Sequence, residues 1–141
     1  MKILSKISFL LFILPVIISA GPQKVKISQI KENPDKYDKQ YISTEGYIEN
    51  IKKKISKKGN KYTTFYITDE ENNSLKVFMW GWEDIEKQKI EEGNKVEVEG
   101  IFRKVKYLGR YRFYNEIEAD SVRKKKEEKQ RKWDRDIKKF F

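Results

Sequence analysis

The sequence contains no cysteine and no histidine among its 141 residues. Their absence excludes disulfides, thiol nucleophiles, zinc sites built on Cys and His, and any mechanism that needs an imidazole base. It also excludes the lipid-modified cysteine of a lipoprotein. We therefore expect a protein that is not an enzyme and that needs no cofactor and no metal.

Acidic residues are also in deficit. Lys and Arg number 32 against 22 Asp and Glu, which gives a formal net charge of +10. Such a balance favours polyanionic partners: nucleic acid, anionic lipid headgroups or acidic glycans. Hydrophobic residues and charged residues each make up 38% of the chain, so the core should be small.

Residues 1–20 have the pattern of a secretory signal peptide. Lys2 and Lys6 precede an apolar run over residues 7–18, and the small residue Ala20 ends the segment. The run is shorter than the roughly 17–25 residues of a spanning helix, and Pro15 interrupts it. We expect cleavage after Ala20 and a periplasmic or secreted protein. A retained membrane anchor is the alternative.

Alternation of apolar and polar residues after the leader predicts five short strands. Their predicted bounds are residues 41–51, 61–69, 74–80, 95–108 and 111–122.

Helices are predicted at three places. Ser28 is the expected N-cap of a short helix that Asn33-Pro34 ends or tightens into a turn. Residues 82–92 have helical spacing, with Gly93-Asn94 as the expected stop. Residues 123–141 form a strongly basic C-terminal tail that is expected to be helical.

The mid-strand glycines Gly46 and Gly100 occur in similar segments, ISTEGYI and VEVEGIF. Glycine inside a strand indicates a bulge or a sharp bend, and strong bending of long strands closes a small sheet into a barrel. The predicted fold is therefore an all-β, five-stranded barrel over residues 21–122. A short N-terminal helix precedes it, and another helix joins strands three and four.

The segments NPDKYDKQYISTEGYIENI, KYTTFYITDEENNSLKVFMW, EEGNKVEVEGIF and YRFYNEIEADSV resemble a bacterial OB-fold of the anticodon-binding-like, nucleic-acid-binding kind, over roughly residues 27–122. The resemblance implies a ligand lying across strands two and three, between the loops that join strands one and two and strands four and five.

Both loops are basic and free of acidic residues, and aromatic residues lie between them. Cations neutralise phosphates, and flat rings stack on unpaired bases. We therefore expect a non-catalytic site for single-stranded DNA or RNA. Its expected phosphate contacts are Lys52, Lys53, Lys54, Lys57, Lys58, Lys76, Arg103, Lys106, Arg110 and Arg112, and its expected stacking residues are Tyr62, Tyr66, Phe78 and Tyr111.

Other interpretations stay open. The tail could cover the aromatic face through Trp133, Ile137, Phe140 and Phe141. Alternation allows Trp80 on the aromatic face, but Trp80 and Trp82 are expected to plug the end of the barrel rather than to stack on bases. The alternative function is an envelope adaptor whose basic surface binds an anionic membrane, a glycan or an acidic protein partner. The acidic turn at residues 69–71 is expected to be solvated, and nuclease activity is not expected.

Overall fold

The structure is a computed structural model that describes residues 21–126 and 135–140. The predicted leader, residues 1–20, lies outside the described residues, as do residues 127–134 and residue 141 of the tail. The strands are β1 (Gln23–Lys24), β2 (Tyr41–Ile55), β3 (Lys61–Thr68), β4 (Ser74–Trp80), β5 (Lys95–Leu108) and β6 (Tyr111–Lys124). The helices are α1 (Ile27–Glu32), α2 (Pro34–Tyr37) and α3 (Glu83–Lys87).

Five of the strands close into a barrel. β2 pairs with β3, β3 with β4, β4 with β6 in parallel, β6 with β5, and β5 with β2 again. This closure confirms the predicted all-β barrel. The very short β1, which the sequence did not predict, adds to β2 in parallel. All of these pairings lie between residues 23 and 124, so a chain that begins at Gly21 contains the whole barrel.

The interior is filled by the apolar sides of the strands, as the period-two pattern predicts. Thr63 also faces inward, and its hydroxyl donates a hydrogen bond of 2.9 Å to the Gly81 carbonyl, which satisfies a buried polar group. The fully buried side chains include Ile42, Ile48, Phe65, Ile67, Leu75, Val77, Val96, Val98, Phe102 and Ile117.

Gly46 lies where β2 turns from one neighbour to the other. Tyr47, the next residue, is in register with both Lys95 of β5 and Thr68 of β3. A Cβ on Gly46 would lie 2.9 Å from the Cβ of Ile67, so glycine is required for close packing at this corner.

The bulge in β2 lies further along, between Glu49 and Lys52. Asn50 has a φ of 56°, and the Glu92 carboxylate accepts hydrogen bonds from the backbone N–H groups of Asn50 and Ile51. The sequence predicted a bulge or a sharp bend at Gly46; the corner of β2 does lie there, and the bulge follows about four residues later.

The helices differ from their predicted bounds. α1 begins at Ile27, so Ser28 lies inside the helix and is not its N-cap. Pro34 occupies the first turn of α2, where its missing N–H costs nothing.

α3 ends at Lys87 instead of continuing to residue 92. The Gln88 side chain accepts a hydrogen bond from the Lys124 N–H and donates one to the Val122 carbonyl, both at 2.8 Å. Because this amide pairs with the edge of β6, the chain leaves the helix there, and Lys89 follows with a φ of 52°.

β6 continues to Lys124, two residues beyond its predicted end. Arg123 lies opposite Glu97 and contacts its buried carboxylate at 2.5 Å, while the Lys125 ammonium lies 3.0 Å from the same carboxylate and 3.1 Å from Glu45. Glu45 and Glu97 are direct cross-strand neighbours, so the two cations neutralise a pair of like charges.

Little of the tail is described. Residues 135–138 form one helical turn, and Ile137 and Phe140 are both exposed. Trp133 and Phe141, the other residues expected to cover the aromatic face, lie outside the described residues. No helix within the described residues is long and apolar enough to cross a membrane.

Gly100 generates a prediction about barrel closure. β5 shifts register between Glu99 and Gly100, and a Cβ on Gly100 would lie 2.1 Å from the Glu118 carbonyl oxygen. We expect Gly100→Ala to lower the free energy of unfolding by ~2–3 kcal/mol, because backbone must move to relieve the overlap. Urea unfolding measures the change. Gly21→Ala, with no atom within 4 Å of the new Cβ, is the control, and equal stability of the two variants would contradict the packing argument.

Glu97 generates a prediction about pH. Burial alone would raise the pKa of this carboxyl, but hydrogen bonds from Lys125 and Arg123 and their charges outweigh burial, so the pKa is lowered. A lowered pKa adds stability above the unfolded value near 4.5, and that stability is lost as the pH falls through the folded pKa. We expect Glu97→Gln to cost ~2 kcal/mol at pH 7 and progressively less as the pH falls below about 4.5. Urea unfolding at pH 7 and at several lower pH values measures the free energy of unfolding. Glu83→Gln is the control, because Glu83 is exposed and its replacement should not change that free energy at any pH.

Candidate functional site

Three rings form an aromatic cluster on the outer face of β3 and β4: Tyr62, Phe78 and Trp80. Tyr62 stacks on Phe78 with ring centroids 5.5 Å apart, and Phe78 meets the Trp80 ring edge-on at 4.9 Å. Tyr62 and Trp80 lie directly opposite each other across the strand pair. The cluster is a continuous surface, and Trp80 is its most accessible ring, with 56% of the residue exposed.

The prediction that Trp80 plugs the end of the barrel is wrong. Trp80 follows Phe78 by two residues, so period-two alternation places both on the outer face, and this signal was already available in the sequence. Trp82 does pack at the strand end: its indole N–H donates a hydrogen bond of 2.9 Å to the Tyr62 carbonyl. Tyr66 is exposed on the same face of β3, opposite Lys76.

The lysine turn, residues 56–60, joins β2 to β3 beside this cluster. The Ser56 N–H donates to the Asn60 carbonyl at 2.8 Å, and Gly59 takes a φ of 84° that favours glycine. Lys57 and Lys58 are exposed, and neither forms an ion pair within the described residues. The turn therefore presents cations that no carboxylate of the described chain neutralises.

Strand alternation divides the lysines that precede the turn. Lys54 lies opposite Tyr62 and Lys52 opposite Thr64, so both share the face of the aromatic cluster. Lys53 lies opposite the inward-facing Thr63, and its ammonium is 3.3 Å from Glu86 of α3. The structure thus places Lys52 and Lys54 at the site and Lys53 away from it.

A shallow depression of about 520 Å³ lies between the lysine turn and the aromatic cluster. Its lining residues are Gly59, Asn60, Lys61, Trp80 and Gly81. It brings the exposed Trp80 ring into a concavity with Lys61, whose ammonium lies 4.8 Å from the centre of the Trp82 ring.

Lys76 and Lys106 meet at a buried carboxylate. Glu116 is only 2% exposed, and its oxygens lie 3.3 Å from the Lys106 ammonium and 3.8 Å from that of Lys76. The Lys106 ammonium also lies 4.1 Å from the centre of the Phe78 ring, and that of Lys76 lies 4.9 Å from the centre of the Phe113 ring. Glu116 therefore holds both lysines against aromatic rings.

The second basic segment is also partly neutralised. Arg103 pairs with Glu118 at 3.3 Å, and Lys104 pairs with Asp35 of α2 at 2.6 Å. Neither loop segment contains an acidic residue, so these pairs were not predicted. Glu116 and Glu118 reach the site from β6, the strand that lies beside β4 and β5 in the barrel.

Arg110, Tyr111 and Arg112 lie at the tip of the β5–β6 hairpin and are exposed. Arg112 approaches the Tyr107 ring at 5.6 Å. The ring contacts found in the described residues join Tyr62, Phe78 and Trp80 but do not include Tyr111. Tyr111 therefore does not extend the aromatic cluster through a ring contact, and the assignment of Arg110, Tyr111 and Arg112 to the site stays a prediction.

The acidic turn at residues 69–71 has a structural role at its first position. Asp69 accepts hydrogen bonds from the N–H groups of Glu71 and Asn73, which closes the turn between β3 and β4. In the described part of the chain, no three His, Cys, Asp or Glu residues are grouped as metal ligands. A second cleft of about 570 Å³ lies between this turn, α1 and β2, and its walls carry charges of both signs.

Comparison with solved structures supports the fold. A single-stranded DNA binding protein from Thermus aquaticus superposes with a TM-score of 0.50 at 13% identity over 62% of this chain and 40% of that protein. A putative aspartyl-tRNA synthetase from Leishmania major Friedlin gives 0.52 at 12% identity over 74% of this chain and 21% of that one. This chain thus spans less than half the length of either. No protein-family model and no curated protein matches the sequence.

The contrast between paired and unpaired lysines can be tested by chemical labelling. We expect brief acetylation to modify Lys57 and Lys58 several-fold faster than Lys106, because the Lys106 ammonium is held by Glu116 and covered by Phe78. Mass spectrometry of peptides at increasing reagent doses measures the order in which these lysines are acetylated. Glu116→Gln should raise the acetylation rate of Lys106 and leave that of Lys57 unchanged. Equal acetylation rates at Lys57, Lys58 and Lys106 in the unmodified protein would show that Glu116 does not hold Lys106.

Proposed function

We propose that this protein binds single-stranded nucleic acid on the outer face of β3 and β4, with the lysine turn as its main phosphate contact. The observation that carries the proposal is the exposed Trp80 ring, which is continuous with Tyr62 and Phe78 and bordered by unpaired lysines. Rings that stack and cations that release counterions are the two components of single-strand binding. The solved structures of similar fold include a single-stranded DNA binding protein.

The lysines of the site fall into two groups, those with a carboxylate partner and those without one. Lys52, Lys54, Lys57 and Lys58 are exposed and have no carboxylate partner among the described residues, so a phosphate that binds them displaces only water and counterions. Lys76 and Lys106 already bind Glu116, so a phosphate must compete with that carboxylate for them. We assign Lys76 and Lys106 chiefly to positioning the aromatic surface, and Lys52, Lys54 and the lysine turn to affinity.

The proposal includes no chemical step. Stacking tolerates every base, so the site should bind with weak sequence preference and strong salt dependence. We further propose export through the leader of residues 1–20, which would place the binding domain in the periplasm or outside the cell.

The test is binding of residues 21–141 to fluorescently labelled poly-dT over a salt series. Trp80→Ala should weaken binding about 5- to 150-fold, since stacking of one base is worth about 1–3 kcal/mol. Lys54→Ala should weaken binding and make the affinity less dependent on salt concentration. Lys53→Ala removes the same charge, but Lys53 faces α3, so this variant should keep both the affinity and its salt dependence.

Ile55→Ala is the control for the ring, because Ile55 is as exposed as Trp80 and lies near the same turn. Equal losses for Lys53→Ala and Lys54→Ala, with no loss for Trp80→Ala, would mean that net charge alone attracts the strand. Absence of binding at low salt would overturn the proposal.

A further inference from the structure

The β5–β6 hairpin extends beyond the barrel. β5 pairs with β2 only as far as Ile101, and β6 pairs with β4 only over residues 116–119. From Val105 to Tyr114 the two strands pair only with each other, and Gly109 and Arg110 form the turn. The end of the hairpin, residues 107–112, is called the hairpin tip below.

Both faces of this hairpin carry apolar side chains. Lys106 and Phe113 are opposite each other, and their contacts with Phe78 and Lys76 show that their face turns toward the aromatic cluster. Leu108 and Tyr111, opposite each other two residues further, share that face. The other face carries two further cross-strand pairs, Val105 with Tyr114 and Tyr107 with Arg112.

These apolar side chains are largely exposed to solvent. The exposed fractions are 66% for Tyr107, 61% for Leu108, 63% for Tyr111 and 61% for Tyr114. A soluble domain rarely exposes so many large apolar side chains in one place unless they contact a partner.

The charge of the hairpin is of one sign. Residues 103–115 contain no Asp or Glu. Arg110 and Arg112, at the tip itself, form no ion pair with any carboxylate of the described chain. The tip therefore combines rings, one aliphatic side chain and unpaired guanidinium groups.

We propose that the hairpin tip inserts into the headgroup region of an anionic lipid bilayer. Tyrosine suits that region because its ring contacts apolar chains while its hydroxyl stays hydrated. Arg110 and Arg112 would bind lipid phosphates, and Leu108 would bury its side chain at the boundary with the acyl chains.

A bilayer fits the tip better than a nucleic-acid strand does. A strand lies along one face of a hairpin, whereas a lipid interface surrounds an inserted tip, and here both faces are apolar. Leu108 has no ring on which a base could stack. The inference thus goes beyond nucleic-acid binding and assigns a second surface to a second ligand.

The experiment measures sedimentation of residues 21–141 with vesicles of phosphatidylcholine and phosphatidylglycerol at about 7:3, and with phosphatidylcholine alone. We expect binding to the anionic vesicles, and Tyr107→Ser/Leu108→Ser should weaken it ~10-fold or more without a change of charge. Ile55→Ser is the matched control, because Ile55 on the other hairpin is 61% exposed, as Leu108 is. This control should bind the vesicles as the unmodified protein does.

A second measurement reports insertion directly. The chain has no cysteine, so Leu108→Cys and Ile55→Cys each accept a single environment-sensitive dye. The dye at position 108 should shift its emission to the blue with anionic vesicles, and the dye at position 55 should not. Circular dichroism establishes that each variant is folded.

Three outcomes would overturn the inference. The first is an absence of vesicle binding by the unmodified protein. The second is vesicle binding that the double variant retains and salt abolishes, which would show attraction by charge alone. The third is a double variant that loses poly-dT binding instead, which would place the tip in the nucleic-acid site. Failure of the nucleic-acid proposal itself would appear separately, as absence of poly-dT binding by the unmodified protein.

Discussion

Closure of the barrel through β2 is the constraint on which the rest of the structure depends. This strand must pair with β5 along its first half and with β3 along its second, and the change of partner occurs at Gly46 and Tyr47. Because Gly46 has no side chain, β3 can pack closely against β2, and Gly100 allows the same close approach between β5 and β6. β3 and β4 lie side by side next to this corner, joined by the short turn at Asp69, and the Trp80 ring on their outer face is exposed.

Carboxylates of neighbouring strands organise the cations of that surface. Glu116 and Glu118 project from β6 and hold Lys76, Lys106 and Arg103, so the centre of the surface is fixed and partly neutral. The unpaired positive charge is displaced to the lysine turn at one side and to the hairpin tip at the other. The surface therefore has an aromatic centre held by ion pairs and two margins of unpaired positive charge.

Much of the fold could be predicted because local pattern and topology agree. Period-two alternation places Phe65, Ile67, Leu75 and Val77 inside, and the structure buries all of them. Helix length was overestimated because Gln88 uses its side chain on β6, a contact between distant parts of the chain that no local pattern reveals. Alternation also predicted that Tyr62, Tyr66 and Phe78 share one outer face, but not that carboxylates of β6 pair with Lys76, Lys106 and Arg103. That Lys53 turns to α3 follows from a bulge whose position depends on the distant Glu92.

The parallel contact between β4 and β6 has a consequence for folding kinetics. Strand pairs joined by short turns, such as β3 with β4, can form early, but a barrel cannot close until β6 enters between β4 and β5. The pairing of β2 with β5 also joins residues far apart in sequence, such as Tyr41 and Ile101. Contacts so distant in sequence make folding slow, because loop-closure entropy is lost before any pairing compensates for it. A nascent chain that lacks β6 would consequently stay open: β3 and β4 could already pair, but Glu116 of β6 could not yet hold Lys76 and Lys106.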